Sequence, residues 1–139
     1  MGFIEDQKWR YATKKFDATK KISNKDLDVL KESIQLAATS YGLQLFKVLI
    51  IENKQKRDLL QPASWGQSQI VDASHLMVFC NFTEVTEEHL NHYAGIQANA
   101  SNIPVESLSG YMQFIQSTLE ARTPEQIDTW TAKQTYIGH

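Results

Sequence analysis

Cysteine and net charge are both scarce in this sequence, and each shortage argues against a class of protein. The 139 residues include one cysteine and three prolines, and their formal net charge is −2. A single cysteine rules out a framework of internal disulfides. The near-neutral charge argues against a surface devoted to nucleic acid, and no apolar run approaches the roughly 20 residues needed to cross a bilayer. The sequence therefore predicts a protein that binds neither nucleic acid nor membrane.

Two kinds of sequence signal are also missing. Met1 to Ile4 are followed at once by Glu5 and Asp6, so there is no basic segment ahead of an apolar one and no secretory signal. We therefore expect a cytoplasmic location. The glycine patterns GxGxxG, GxxxxGKS and GxxxxGKT do not occur either, which excludes a Rossmann domain as the means of binding a dinucleotide.

What is present is the composition of an ordinary globular protein, with 42% hydrophobic and 22% charged residues. The length fits a single domain over residues 1–139. Four histidines could suggest a metal site, but His89 and His92 lie three apart on a predicted helix, with no carboxylate or cysteine in ligand spacing. A solvated helix face is the better interpretation, so no metal is predicted.

Apolar spacing and capping residues predict six helices. Ser23 is expected to cap a helix whose end is marked by Gly42 in a left-handed conformation. Thr86 and Thr123 are predicted to cap two further helices, the second with Pro124 at its first position. The others are expected over residues 3–11, over residues 54–61, and from Ile103 and Pro104 onward, the last with an apolar stripe made of Leu108, Tyr111, Met112, Ile115 and Leu119.

Two short segments, residues 45–52 and 75–82, predict buried strands. Both are rich in branched and aromatic side chains and are short for helices. Cys80 lies in the second segment, and we expect it to be a buried strand residue rather than a nucleophile.

A basic and aromatic segment, residues 9–16, is the main candidate for a ligand site. Arg10 and Lys14 are four apart, so one helical turn, or the exit from a short helix, would bring both cations to one side. There the Arg fork could grip a phosphate and the Lys could add a point charge. Taken alone, the residues favour a solvated basic face, because Lys and Arg side chains are mostly exposed.

Four segments of the chain together resemble the nitroreductase family of flavoenzymes. They are RYATKKFD at residues 10–17, SYGLQ at 40–44, SWGQSQ at 64–69 and DASHL at 72–76. Members of that family carry FMN and oxidise a nicotinamide cofactor. The resemblance implies an α+β fold in which helices sandwich a central mixed sheet, and a homodimer formed through the long helices.

The resemblance assigns roles within the basic segment. The family opens with an Arg-x-Ser-x-Lys motif, and this chain has Arg10 and Lys14 at its outer positions. Arg10 is implied to bind the FMN phosphate, and Lys14 to lie near N1 and O2 of the flavin ring, with Tyr11 in the same FMN-binding segment. Ala12 stands where the serine belongs, and the lost hydroxyl weakens binding by roughly 1.5–3 kcal/mol unless a backbone N–H replaces it.

Other segments are implied to contact the ligands as well. Thr39, Ser40 and Gly42 would reach the flavin from the opposite subunit. Gln67 and Gln69 would reach its pyrimidine edge from a nearby loop. In the plainer interpretation the two glutamines face solvent. Tyr41 would line the pocket for the electron acceptor, with packing at a helix end as the alternative.

The implied function is an FMN-dependent oxidoreductase that transfers a hydride from NAD(P)H, through the flavin, to a nitroaromatic, a quinone or a similar flat acceptor. No catalytic side chain is needed. In the family the last helix, residues 127–137 here, continues into further strands, so we expect a C-terminally shortened fold: either a fragment of a longer product or a short product. The alternative function is a flavin-free dimerising or ligand-binding module of the same ancestry, which Ala12 and the early stop favour.

Overall fold

The computed structural model describes residues 2–139, which divide between two compact units. The first unit extends to Asn24 and includes Ile50–Val78. The second consists of Lys25–Leu49 and Phe79–His139. The helices, in chain order, are α1 (Phe3–Trp9), α2 (Asn24–Gln35), α3 (Lys54–Leu60), α4 (Gln69–Asp72), α5 (Glu87–Ser101), α6 (Ser109–Glu120) and α7 (Pro124–Gly138). The strands are β1 (Phe46–Ile51) and β2 (Leu76–Asn81), and short 3₁₀ turns occupy Ser40–Gly42, Pro62–Ser64 and Val105–Leu108.

The two strands pair with each other in an antiparallel arrangement. Each strand begins and ends within one residue of its predicted bounds. The α+β class is thereby confirmed. Among the described residues the sheet is one antiparallel pair of strands and not the mixed sheet that was expected.

Cys80, in contrast, is exposed, so the prediction of a buried side chain is wrong. Neighbouring side chains of a strand point to opposite faces of the sheet. The ring of Phe79 packs against Phe46, with 6.4 Å between the ring centroids. Because Phe79 occupies the packed face, Cys80 is directed to the other one.

Helix α2 ends earlier than predicted, at Gln35. The Gln44 side-chain amide donates a hydrogen bond to the Gln35 carbonyl, which satisfies an acceptor left open at the helix end. Gly42 therefore does not cap this helix. It lies in the next turn, where Tyr41, Gly42 and Gln44 all have positive φ angles, of 58°, 71° and 47°, and such angles cannot continue a right-handed helix.

The predicted starts of α5 and α7 are confirmed. The Thr123 hydroxyl accepts from the Gln126 N–H at 3.3 Å, while the Gln126 side-chain oxygen accepts from the Thr123 N–H at 2.9 Å. Thr86 caps α5 in the same reciprocal way with His89, whose Nδ1 accepts from the Thr86 N–H at 3.0 Å. His89 is thus a half-buried capping residue, and its assignment to a solvated face is wrong.

The apolar core lies in the second unit, where the buried residues Leu90, Ile115, Leu119 and Ile127 contact one another. Ile115 and Leu119 belong to the predicted stripe of α6, which confirms the helical period used to find it. Tyr111, from the same stripe, is exposed.

Candidate functional site

Arg10 and Lys14 lie where the chain leaves α1. Arg10 ends the helix with its N–H donating to the Asp6 carbonyl at 3.0 Å, and its φ and ψ of −54° and 130° turn the backbone away from the helical path. Both side chains are exposed. Within residues 2–139 neither forms a hydrogen bond or an ion pair. Two cations four residues apart are therefore available to an anion.

Tyr11 and Ala12 follow in the same irregular segment, and both are exposed. Ala12 offers no hydroxyl, as the sequence showed. In the part of the chain that the structure covers, the backbone N–H groups of Ala12, Thr13 and Lys14 donate to no acceptor. Backbone donors are thus available where the family motif has a serine hydroxyl.

Two other cations of the irregular stretch after α1, residues 10–23, are engaged with residues 72–74. Lys15 forms an ion pair with Asp72, the last residue of α4. Lys21 Nζ donates to the Ser74 carbonyl oxygen at 3.1 Å, and Ser74 Oγ accepts from the Ile22 N–H at 3.0 Å. The segment that carries Arg10 and Lys14 is therefore fastened to residues 72–74 of the same unit.

The pKa of Asp72 reflects its ion pair with Lys15. The pKa of its carboxyl lies below the ordinary value, chiefly because the carboxylate accepts a hydrogen bond from Lys15. The Asp72 side chain is 16% exposed, whereas that of Lys15 is mostly exposed. The carboxylate is thus held charged at neutral pH, as an ion-pair partner must be.

Gln67 and Gln69 lie on a hydrogen-bonded turn in the first unit. The Gly66 N–H donates to the Gln61 carbonyl at 3.0 Å, and the Gln61 side-chain amide returns a hydrogen bond to the Gly66 carbonyl at 3.2 Å. Gln67 is exposed and Gln69, the first residue of α4, is half-buried. The exposure of Gln67 fits either interpretation of the sequence, because a ligand-binding amide and a solvated one both face outward.

The same turn carries an exposed aromatic residue that the sequence interpretation did not single out. Trp65 is 91% exposed, and its backbone has the left-handed φ of 54°. Residues other than glycine rarely adopt this conformation. An indole held in solvent by a hydrogen-bonded turn is available to contact a flat molecule. The signal in the sequence was a tryptophan followed directly by Gly66.

Thr39, Ser40 and Gly42 lie in the second unit, in the turn after α2. The Ser40 N–H donates to Gln134 Oε1 at 2.7 Å, and the Gln44 N–H donates to Thr39 Oγ1 at 3.2 Å. Gly42 has a φ of 71°, and a Cβ added there would lie 3.4 Å from the Tyr93 ring. Both features favour glycine at this position. The Ser40 hydroxyl has no hydrogen-bond partner among the described residues.

Tyr41 packs inward from the same turn. Its ring meets Phe114 edge to face at 6.3 Å and Trp130 at 6.2 Å between centroids. It also lies against the buried core cluster of the second unit. These contacts support a packing role, and its place in an acceptor pocket stays a prediction.

The predicted site residues thus fall into two sets. Arg10, Tyr11, Ala12, Lys14, Gln67 and Gln69 belong to the first unit, and Thr39, Ser40, Tyr41 and Gly42 belong to the second. Within the first set, the ion pair from Lys15 to Asp72 links the basic segment to the helix that begins at Gln69.

Two further findings concern only residues 2–139. No group of three or more His, Cys, Asp or Glu side chains is arranged to hold a metal ion there. None of the helices in that range combines the length and apolar character that a membrane span requires.

Solved structures share this fold. This chain superposes on a protein of Exiguobacterium sibiricum, provisionally described as a nitroreductase and solved in complex with FMN, with a TM-score of 0.82 and 18% identity. The superposition covers 99% of this chain and 66% of the other. For a protein of Staphylococcus epidermidis, provisionally described as an NAD(P)H:FMN oxidoreductase, the TM-score is 0.84 and the identity 13%, covering 99% of this chain and 64% of that one. At such identities the likeness shows the fold alone.

Curated relatives are closer in sequence. Two proteins with the provisional name NAD(P)H nitroreductase are 34% identical over 135 residues, from Staphylococcus epidermidis, and 32% identical over 134 residues, from Staphylococcus saprophyticus. Each alignment covers 94% of this chain and 61% of the relative, so the chain spans about three fifths of the length of these relatives. A sequence model described as the Nitroreductase family matches residues 8–138. Since this match takes in nearly every residue, the chain belongs to the nitroreductase family.

Proposed function

We propose that this chain binds FMN and serves in an oxidoreductase that passes a hydride from NAD(P)H to a nitroaromatic, a quinone or a similar flat acceptor. One observation carries the proposal. Arg10 and Lys14 are exposed and unpartnered within the described residues, while Lys15 and Lys21 of the same irregular stretch bind Asp72 and Ser74. The relatives named as NAD(P)H nitroreductases, and the structural neighbour that holds FMN, support the choice of ligands.

The chemistry of the basic segment fits a flavin phosphate. The Arg10 guanidinium offers several donors in a fork that matches phosphate oxygens. The free backbone N–H groups of residues 12–14 can donate in place of the hydroxyl that Ala12 lacks. Lys14 supplies a second positive charge, which we assign to the flavin ring.

Bound FMN would supply the redox chemistry itself, so the protein needs no catalytic side chain. The chain's own residues bind and orient the ligand. We propose that Gln67 and Gln69 hydrogen-bond the pyrimidine edge of the flavin, and that the exposed Trp65 contacts the flat acceptor. Tyr41 is the remaining candidate for the acceptor pocket.

We further propose that two copies of the chain associate and that Thr39, Ser40 and Gly42 reach the flavin from the partner copy. Large apolar side chains exposed on the helices and turns of the second unit support a helix-mediated dimer; they are Leu36, Ile96, Phe114, Tyr136 and Ile137. Light scattering of the purified chain should give twice its mass of 15.9 kDa. A monomeric mass at concentrations where FMN binds would contradict the shared site.

Visible absorption of the purified protein tests the proposed function. We expect the bands of added FMN to shift on binding and then to bleach when NADPH is added without oxygen, because the nicotinamide reduces the flavin. Adding a quinone should restore the bands. A protein that leaves the FMN spectrum unchanged would instead support the flavin-free module, which the alanine at position 12 favours.

A further inference from the structure

Residues 72–74 hold the irregular stretch of residues 10–23, which includes most of the basic segment, at three points. The Asp72 carboxylate pairs with Lys15, the Ser74 carbonyl accepts from Lys21, and the Ser74 hydroxyl accepts from the Ile22 N–H. All three contacts join residues more than 50 positions apart in sequence. Residues 10–23 contain no helix or strand of their own, so their path depends on contacts of this kind with the rest of the unit.

Residues 72–74 are themselves held by residues outside the basic segment. Arg57 on α3 is 3% exposed and donates to the Ala73 carbonyl. Ser74 Oγ lies 2.8 Å from His75 Nδ1, and His75 Nε2 lies 3.4 Å from a carboxylate oxygen of Glu52. A buried guanidinium, and a histidine that contacts Ser74 through one ring nitrogen and approaches Glu52 with the other, leave this short stretch little freedom. We call residues 72–74 the anchor.

We infer that Asp72 and Lys15 are positioning residues, because their ion pair sets the place of Arg10 and Lys14. The pair thereby tunes the affinity for the flavin phosphate, although neither Asp72 nor Lys15 touches the phosphate. This inference rests on the proposed function, because Arg10 and Lys14 are taken as the ligand-binding cations. It gives two adjacent lysines different tasks, with Lys14 facing the ligand and Lys15 facing the anchor.

The competing view is that Lys15 is one more cation of an attractive basic surface. On that view Asp72 only neutralises positive charge, and removing its carboxylate strengthens the attraction for an anion. On the positioning view, removing the carboxylate frees the segment, so that Arg10 and Lys14 must be ordered when the ligand binds. The two views therefore predict changes of opposite sign.

The test is Asp72→Asn, with FMN and riboflavin titrated separately. Riboflavin lacks the phosphate, so the ratio of the two dissociation constants isolates the phosphate contribution. We expect FMN binding to weaken by about fivefold or more, the scale of coupling within one hydrogen-bond network, with a smaller change for riboflavin. FMN binding that is unchanged or tighter would overturn the inference.

Asp58→Asn is the matched control. Asp58 also belongs to the first unit and pairs with Lys54 at 2.9 Å within α3. Asp58→Asn removes the same charge as Asp72→Asn but leaves the pair between Lys15 and Asp72 intact, so it should leave the ratio of FMN to riboflavin binding unchanged. Lys15→Met disrupts the same pair, should the Asn variant fold poorly. Because removing a cation weakens FMN binding on either view, its readout is hydrogen exchange of the Ile22 amide, which should accelerate if the pair positions the segment.

Hydrogen exchange on the ligand-free protein separates this inference from the proposed function. The Ile22 amide donates to Ser74 Oγ, so its exchange should accelerate in Asp72→Asn and stay unchanged in Asp58→Asn. If the wild type binds no FMN, the proposed function fails while this measurement still tests the anchor. Unchanged exchange at Ile22 would overturn the inference, even if FMN binding weakened.

Discussion

Replacing Arg10 with alanine should weaken FMN binding by about 10- to 150-fold, which corresponds to the roughly 1.5–3 kcal/mol of a hydrogen bond to a charged group. The Arg10 guanidinium is exposed and has no partner within residues 2–139. Its removal therefore breaks no contact of the described fold, and the unfolding free energy should stay the same. Fluorescence titration of FMN measures the loss, and thermal unfolding checks the fold.

Riboflavin and two further variants show whether the loss comes from the phosphate. Arg10→Ala should leave riboflavin affinity unchanged, because riboflavin has no phosphate for the guanidinium to bind. Lys14→Ala should weaken both flavins, since Lys14 is assigned to the ring. Lys8→Ala removes a cation of α1 that is likewise exposed and unpartnered in the described part of the chain, and it should change neither affinity. Equal losses in all three variants would mean that only net charge matters.

The parts of this fold that could be predicted from the sequence are those decided by near neighbours. The cap of α7 needs only Thr123, Pro124 and Gln126, all within four positions. The two strands were found from short runs of branched and aromatic residues, and their ends were right to within one residue. In each case the deciding interactions lie within one turn or one strand.

The sequence-based predictions of the fold were wrong where a distant side chain or an unusual backbone angle decides the structure. Helix α2 stops at Gln35 because Gln44 reaches back nine residues to its carbonyl, and the intervening turn contains positive φ angles at residues that usually avoid them. Cys80 is exposed because Phe79 occupies the packed face of its strand. No local pattern encodes which of two alternating faces will be covered.

In the candidate site, too, local patterns could be predicted from the sequence and distant contacts could not. The motif identified Arg10 and Lys14, but the sequence could not say which cations of the segment are free. That depends on Asp72, which lies 57 positions from the Lys15 it binds. Trp65 was missed for a related reason, because tryptophan usually contributes to cores and interfaces, and its exposure follows from the left-handed turn that holds it.

Replacing Ile115 with alanine should lower the free energy of unfolding by about 2–5 kcal/mol. Ile115 on α6 is 0% exposed and lies at the centre of the core cluster with Leu90, Leu119 and Ile127. Truncation removes buried methyl groups and leaves a cavity that the surrounding helices can fill only in part. Urea denaturation followed by far-ultraviolet circular dichroism measures the change.

A graded series makes the core interpretation testable in detail. Ile115→Val removes one methyl group and should cost about 0.5–1.5 kcal/mol. Val29→Ala on α2, where the side chain is 54% exposed, should change stability by about 0.5 kcal/mol or less, because a surface side chain loses little buried area. Tyr41 contacts the same cluster, so a weakened core should also loosen the turn that bears Thr39 and Ser40. If Ile115→Ala unfolded no more easily than Val29→Ala, the core could not lie where α6 places it.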